Sequence, residues 1–307
     1  MCIRDSDDIE EFEEFVKDIK NYGFDAVLVA DLGLFDMMQE LAPEIPIHVS
    51  TQANNINYRS AIKWYKMGAT RVVLAREMSF KEIAEFQKKI PEDLELEAFI
   101  HGAMCISYSG RCLLSNYMTG RDSNMGACAH PCRWNYKLVE ETRPGEYMDV
   151  FENERGTFIF NSKDLCTIRH IPELVQSGIA SLKIEGRVKT SYYVATVVGA
   201  YRREIDRYCA DPENYVFNEA EYEELCKVSH RPYTTGFYFG KPDENSQVYT
   251  SSSYIRDYDL IGIVKDYDEK TGIATITQRN RFFKGDEIEI IQPVSYTHLT
   301  LPTKLEV

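Results

Sequence analysis

Apolar residues recur along this chain in two alternating rhythms. From Asp8 to Asn21, Ile9, Phe12, Phe15, Val16 and Ile19 fall at helical spacing with acids between them, which predicts an amphipathic helix. The next apolar block, Ala26 to Ala30, is short and continuous, as in a buried parallel strand. The same order then repeats. Leu34 to Leu41 predicts a helix stopped by Pro43, and Ile45 to Val49 a strand. Tyr58 to Met67 predicts a helix ended by Gly68, and Arg71 to Ala75 a third strand. Ser79 caps a helix reaching Lys89, and Leu94 to Ile100 predicts a fourth strand running into His101-Gly102.

The rhythm breaks from Ala103 to Gly156, a stretch rich in Cys, Gly, Tyr, Ser and Asn. It resumes with a strand at Thr157 to Phe160, a helix over Leu165 to Gln176, a strand at Ser181 to Ile184 and a long helix over Ser191 to Tyr208. Repeated βα units imply a parallel sheet, open or closed into a barrel. Polar residues gather just after the strand ends: Asp31, Gln52 with Asn54, Arg76 with Glu77, His101, Asn161 with Lys163, and Glu185 with Arg187. A (β/α)8 barrel collects its active site at that end. The pattern therefore predicts a TIM-type barrel over residues 8–210, truncated at its N-terminus, with about six strands present and a Cys-rich insertion at 103–156. A doubly wound sheet is the alternative, without a Gly-rich phosphate fingerprint to support it.

Beyond Ala210 the style changes. Residues 211–253 read as a short acidic helix, Asn218 to Val228, and a linker. Residues 254–293 read as a fragment of a small β-barrel domain. Ile261 to Tyr267 and Ile273 to Thr277 form its hairpin, and Lys284 to Ile291 a third strand. The ends, 1–7 and 294–307, continue neither pattern and are read as a non-native leader and tail, which removes Cys2 and His298 from the functional argument.

Composition narrows the class. With 44% hydrophobic and 27% charged residues in 307, the chain has a globular composition, not a disordered, collagen-like or coiled-coil one. No apolar run approaches the roughly 20 residues of a membrane span, and no signal peptide opens the chain, so a cytoplasmic protein is expected. The net charge of −14 argues against a general nucleic-acid binder. From His101 to Lys137, however, Arg111, Arg121, Arg133 and Lys137 face the lone acid Asp122, a local excess of +3 suited to an anionic substrate.

That basic stretch also holds Cys105, Cys112, Cys128 and Cys132, spaced C-x6-C-x15-C-x3-C. Four thiolates hold either a [4Fe–4S] cluster or a tetrahedral Zn, and soft sulfur suits both. The spacing matches neither a zinc ribbon nor a ferredoxin run. Cys166 is a fifth thiol, or a replacement for Cys132. Cys209 and Cys226 read as core-filling residues. His101 is a base, a substrate contact or simply a hydrogen-bonded strand-end histidine. Lys163, Lys183, Glu185 and Arg187 near two strand ends are either structural ion pairs or a substrate-anion site. His130 and His170 read as loop and helix-surface residues. The chain lacks His-Glu-x-x-His, Gly-x-Ser-x-Gly, a P-loop and Gly-x-Gly-x-x-Gly.

The segment from Glu97-Ala-Phe-Ile-His-Gly-Ala-Met-Cys105 through Arg111-Cys-Leu-Leu-Ser115 resembles the signature of peptidase family U32, the collagenase-like proteases of unassigned catalytic type. Cys128 to Trp134, Arg143 to Met148, Asn161 to Leu165 and Lys183 to Arg187 extend the match, which covers about residues 8–292. The chain is most similar to the tRNA-modifying branch. That resemblance implies oxygen-independent, prephenate-dependent 5-hydroxylation of the wobble uridine of tRNA. It implies an iron–sulfur cluster on Cys105, Cys112, Cys128 and Cys132; some relatives use a cysteine near Cys166 in place of the one matching Cys132. Lys163, Lys183 and Arg187 would hold anionic groups of prephenate or RNA phosphate. Arg111, Arg121 and Arg133 would steer the anticodon stem, and Tyr108 or Trp134 would stack an extruded base. Asn161 would contact substrate, and His101, Lys163, Lys183, Glu185 and Arg187 would form the catalytic set. Two rival readings stand beside it: a collagenase-like hydrolase, and a Zn-stabilised RNA-binding module.

Overall fold

The computed structural model describes residues 6–104, 112, 114–121, 127–134, 138–139, 147–148, 161–187, 189–241, 247–248, 254–256, 258–291 and 296–300. The chain divides into two compact units, Met1–Arg187 with Arg231–Ser253, and Val188–His230 with Tyr254–Val307.

In the first unit the alternation read from the sequence becomes βα layers. Strands β1 (Val27–Val29), β2 (Ile47–Val49), β3 (Ala69–Val73) and β4 (Glu95–Ala103) pair in sequence order, all parallel. Helices α1 (Ser6–Lys20), α2 (Leu32–Leu41), α3 (Tyr58–Lys66) and α4 (Phe80–Gln87) alternate with them. Each helix after the first opens on a side-chain cap. Asp31 accepts from the N–H groups of Gly33 and Leu34, so α2 starts two residues earlier than its apolar spacing predicts. Asn57 caps α3, and Ser79 with Glu82 forms a reciprocal capping box on α4. The apolar stripes of these helices, among them Phe12, Val16, Phe35, Met38, Ala61, Ile83 and Phe86, bury against Val29, Ile47, Val49, Val72, Leu96 and Ala98 from alternate strand positions.

Strand β4 is the junction of the sheet. Its first residues, Glu95 to Glu97, pair with β3, and Glu97 to His101 pair in parallel with β9 (Ser181–Ile184). Its last three, His101 to Ala103, pair antiparallel with β8 (Asp164–Cys166), which lies parallel to β10 (Tyr233–Thr234). This extends β4 three residues past its predicted end. It also corrects the helix predicted from Leu165. Asp164 to Cys166 are held as strand by β4 and β10, and α6 (Ile171–Gln176) begins only where Pro172 fits a first helical turn. Three further pieces are short: β5 (Leu138–Val139) pairs antiparallel with β6 (Tyr147–Met148), and β7 (Asn161–Ser162) with β11 (Gln247–Val248). The predicted strand at 157–160 lies outside the described residues. The fold is thus a mixed α/β layer around a largely parallel sheet. Among the described residues no pairing closes it into a barrel.

The second unit contains α7 (Ser191–Ala210) and α8 (Glu219–Lys227), joined by Arg203 to Glu221 at 2.7 Å. Its β part is a hairpin of β12 (Gly262–Asp268) with β13 (Ile273–Gln278), and an antiparallel pair of β14 (Glu287–Ile291) with β15 (Tyr296–Thr300). Lys227 reaches Glu289 at 2.8 Å, tying α8 to β14. Cys209, expected to fill core, is exposed on α7 instead. Among the described residues no helix is long and apolar enough to cross a membrane.

Leu96 is fully buried at the centre of this layer. Leu96→Ala is expected to lower stability by about 2–5 kcal/mol in urea unfolding, through lost apolar burial and the cavity left behind. A loss under about 1 kcal/mol would mean that the sheet–helix interface is not the core of the unit.

Candidate functional site

The face of the sheet opposite the helices carries charge. Along β4, Leu96 and Ala98 bury in the core cluster with the helix residues, and Glu95, Glu97 and Phe99 occupy the alternate positions. Glu97 is buried and takes three partners from both neighbouring strands. Lys183 Nζ of β9 donates at 2.6 Å, Ser181 Oγ of β9 at 2.8 Å and Arg71 of β3 at 3.2 Å. Arg71 also holds Glu95, with Nε at 2.7 Å. Burial works to raise the Glu97 pKa, but the Lys183 hydrogen bond and charge, with Ser181 and Arg71, outweigh it and hold the carboxyl below its ordinary value. On β2, His48 lies beside Arg71 in register. Burial first, then the Arg71 charge, push its pKa down, while Glu97 and Glu95 pull the other way.

At the C-terminal ends of the strands a second network takes over. Arg76, just after β3, lies over the Phe99 ring at 3.8 Å, ion-pairs with Glu185 at 3.2 Å and donates to the carbonyl of Ala103. Glu185 follows β9 and accepts from the N–H of Arg187 at 3.0 Å. Gly102 makes this closeness possible. Its φ is +114°, and a Cβ there would stand 2.7 Å from both Cβ and the carbonyl oxygen of Glu185. Behind this network, the buried Tyr238 hydroxyl donates to the Phe99 carbonyl at 2.6 Å; burial pushes its pKa far above that of ordinary tyrosine, against the pull of Arg76. His101 is buried on the same strand, with its ring 5.3 Å from that of Tyr233 and its backbone paired with Cys166. Thr167 locks the neighbouring turn by donating to the Ile100 carbonyl at 3.0 Å.

The cysteine segment begins directly after β4. Cys112 is buried two residues ahead of α5 (Leu114–Thr119). Cys132 is buried in a 3-10 turn, Pro131–Arg133, that packs against both α5 and β7. The buried Ser115 of α5 accepts from the N–H of Ala129 at 2.9 Å, which anchors the chain between the two cysteines of the C-x3-C pair. His130 adopts a left-handed backbone, φ 56°, and its N–H donates to Cys128 Sγ at 3.3 Å. Sulfur ligands of metal centres accept backbone N–H donors in this way. Cys166 is buried on β8. The donor chemistry of Cys112, Cys128 and Cys132 fits a sulfur-held centre. Even so, among the described residues no group of three or more His, Cys, Asp or Glu side chains comes together to hold a metal.

Of the residues singled out in the sequence, Lys183, Glu185, Arg187 and His101 share one end of the sheet around β4 and β9. Lys163 stands half-buried between β7 and β8. Arg121 is exposed, and Trp134 is 46% exposed just past the 3-10 turn. Asn161 and Arg133 are placed by backbone only, in β7 and in that turn. Cys105, Tyr108 and Arg111 lie outside the described residues. Sequence reasoning passed over Glu97, Arg71 and His48, and noted Arg76 only as a strand-end polar residue. The signal for Glu97 was present: two carboxylates two positions apart in an otherwise apolar strand mark its polar face.

The lowered pKa of Glu97 fixes the sign of a pH effect. The ion-paired carboxylate stabilises the fold above the unfolded carboxyl pKa, about 4.5, and that stability is lost as pH falls through the folded value. Glu97→Gln leaves Lys183 and Arg71 without their buried partner and is expected to destabilise by about 1–3 kcal/mol at pH 7. The gap between wild type and variant, read from urea midpoints, shrinks as pH falls below the unfolded carboxyl pKa of about 4.5. A gap independent of pH would show that the carboxylate charge is not what Glu97 contributes.

The sequence profile of peptidase family U32 matches residues 2–248, and that of the peptidase family U32 C-terminal domain matches residues 256–304. The chain is 43% identical over 295 residues to "tRNA hydroxylation protein P1" of Bacillus subtilis, covering 95% of this chain and 69% of the relative. It is 37% identical over 329 residues to "tRNA hydroxylation protein P" of Escherichia coli, covering 94% and 72%. A protein named "Collagenase" from Porphyromonas gingivalis is 31% identical over 284 residues, covering 88% and 66%. With its profile matched across most of the chain and its signature strand built into the centre of the sheet, the chain belongs to peptidase family U32.

Proposed function

We propose that this chain is a tRNA-modifying enzyme that hydroxylates the wobble uridine at C5, without molecular oxygen and with prephenate as co-substrate. The observation that carries this reading is the 43% identity to a protein named for tRNA hydroxylation, sustained over 95% of the chain. The charged sheet face agrees with it. An enzyme acting on RNA and a dicarboxylate needs cations held in place, and the strand ends around β4 offer Arg76 and Lys183 over the Phe99 ring, with Arg187 exposed beyond Glu185. Lys183 is shared with Glu97, so a substrate anion there competes with a carboxylate already in position. Arg187 is exposed and Lys163 half-buried, which leaves both open to phosphate or carboxylate groups. Trp134 offers a stacking surface for an extruded base, with Arg121 and Arg133 as phosphate contacts.

In this reading Cys105, Cys112, Cys128 and Cys132 hold a [4Fe–4S] cluster, with Cys166 as the substitute for Cys132. Such a cluster supplies electron transfer or Lewis-acid chemistry that side chains lack. The described residues do not assemble its cage on their own. The parallel strands β1, β2, β3, β4 and β9 are read as an arc of a (β/α)8 barrel, with the charged face as its lining.

Complementation of a strain lacking wobble hydroxyuridine, followed by nucleoside mass spectrometry, tests the activity. Restoration of the hydroxylated nucleoside is expected, with loss in Cys128→Ala, and the anaerobically purified protein is expected to contain iron and sulfide. Gelatin cleavage that survives iron removal but not zinc chelation would replace this reading with the hydrolase that the collagenase-named relative suggests. Stoichiometric zinc and RNA affinity without product would reduce the chain to an RNA-binding module.

A further inference from the structure

The second unit contains a cavity of about 370 Å³ that the proposed reaction does not use. Two arginines, Arg256 and Arg279, line it with Asn280, Tyr192 and Tyr258. On the helices of this unit several cations find carboxylates. Lys227 takes both Glu224 and Glu289, Arg203 takes Glu221, and Arg207 takes Glu204. Among the described residues, Arg256 and Arg279 take none, although Asp259 lines the same cavity. Two unpaired guanidinium groups facing one hollow, in a chain of net charge −14, fit an anion supplied from outside.

The walls favour phosphate on an extended chain. The cavity is also lined by Ser191 and Tyr192, the first residues of the twenty-residue α7. Thr190 caps that helix by accepting from the N–H of Tyr193, so the cap does not take the N–H groups of Ser191 and Tyr192. Both arginines are exposed, and Tyr258 is 47% exposed, so the hollow opens on a surface and does not enclose a small ligand. From Arg279 the chain continues as Asn280, Arg281, Phe282, Phe283 and Lys284. Arg281 lies 4.7 Å from the centre of the Phe283 ring, which is itself 55% exposed. A cationic run with exposed aromatics interleaved is the surface chemistry that binds single-stranded or bent nucleic acid.

We infer that this cavity grips the RNA backbone, as a phosphate-binding contact of the C-terminal unit in addition to the charged sheet face. The inference rests on the reading that RNA is the substrate. The test uses the full chain, purified anaerobically, and an unmodified tRNA transcript in filter binding at several salt concentrations. Arg256→Ala with Arg279→Ala is expected to weaken binding about tenfold or more and to flatten the salt dependence by about two phosphate contacts. The circular dichroism spectrum and the urea midpoint are expected to hold at parental values. Arg256→Lys with Arg279→Lys keeps the charge and is expected to retain most of the affinity, which separates charge from misfolding.

If the parent binds tRNA and the alanine variant matches its affinity and salt slope, this inference is overturned while the functional reading stands. A parent without tRNA affinity overturns both. Inorganic phosphate that binds at low-millimolar concentration in the parent but not in the alanine variant, while tRNA stays bound at matched ionic strength, would make the cavity a small-anion pocket and overturn the RNA assignment.

Discussion

One buried carboxylate joins the three strands at the centre of this protein. Glu97 receives Lys183 and Ser181 from one neighbour and Arg71 from the other, so β3, β4 and β9 are cross-linked by charge on the face that the helices do not cover. A buried acid without partners would give up its proton reluctantly and weaken the sheet; with three donors its charge is retained. The same strand then supplies Phe99 as a floor for Arg76, His101 opposite Cys166, and Gly102 against Glu185, before the chain enters the cysteine segment. The residues that follow Glu97 along β4 thus lie on a strand tied by side chains to both β3 and β9.

Much of this arrangement is local and was legible before the structure. The helices of the first unit announce themselves through spacing and through caps that sit in the sequence beside them, Ser79 with Glu82 being the clearest. Strands β1 to β4 show as short apolar runs in the right rhythm. What sequence did not disclose is long-range pairing. Asp164, Leu165 and Cys166 lead into a helical pattern, and only their hydrogen bonds to β4 and β10 make them a strand. The partners of Glu97 come from positions 26 and 86 residues away, a distance that no periodicity reports. Lys183 and Glu185 stand out in the sequence as charged residues near a strand end, and the structure gives them different partners, Glu97 and Arg76.

The cysteines show the opposite balance. Their number and spacing carry the chemical suggestion, while the structure contributes the local frame: a left-handed His130 that turns its N–H onto Cys128, and a serine of α5 that anchors the same loop. A thiol-rich segment leaving directly from the charged end of β4 agrees with a reaction centre that joins sulfur ligands to substrate anions. In the C-terminal unit the two arginines that line its cavity are the basis for the inferred RNA contact.

The account turns on Glu97 and Lys183 acting as one unit, and a double-mutant cycle of Glu97→Gln with Lys183→Met measures that directly. Urea unfolding of the four proteins at pH 7 is predicted to give a coupling energy of about 1–3 kcal/mol. Additivity within about 0.5 kcal/mol would contradict it, because the two strands would then be held together by their backbones and core alone.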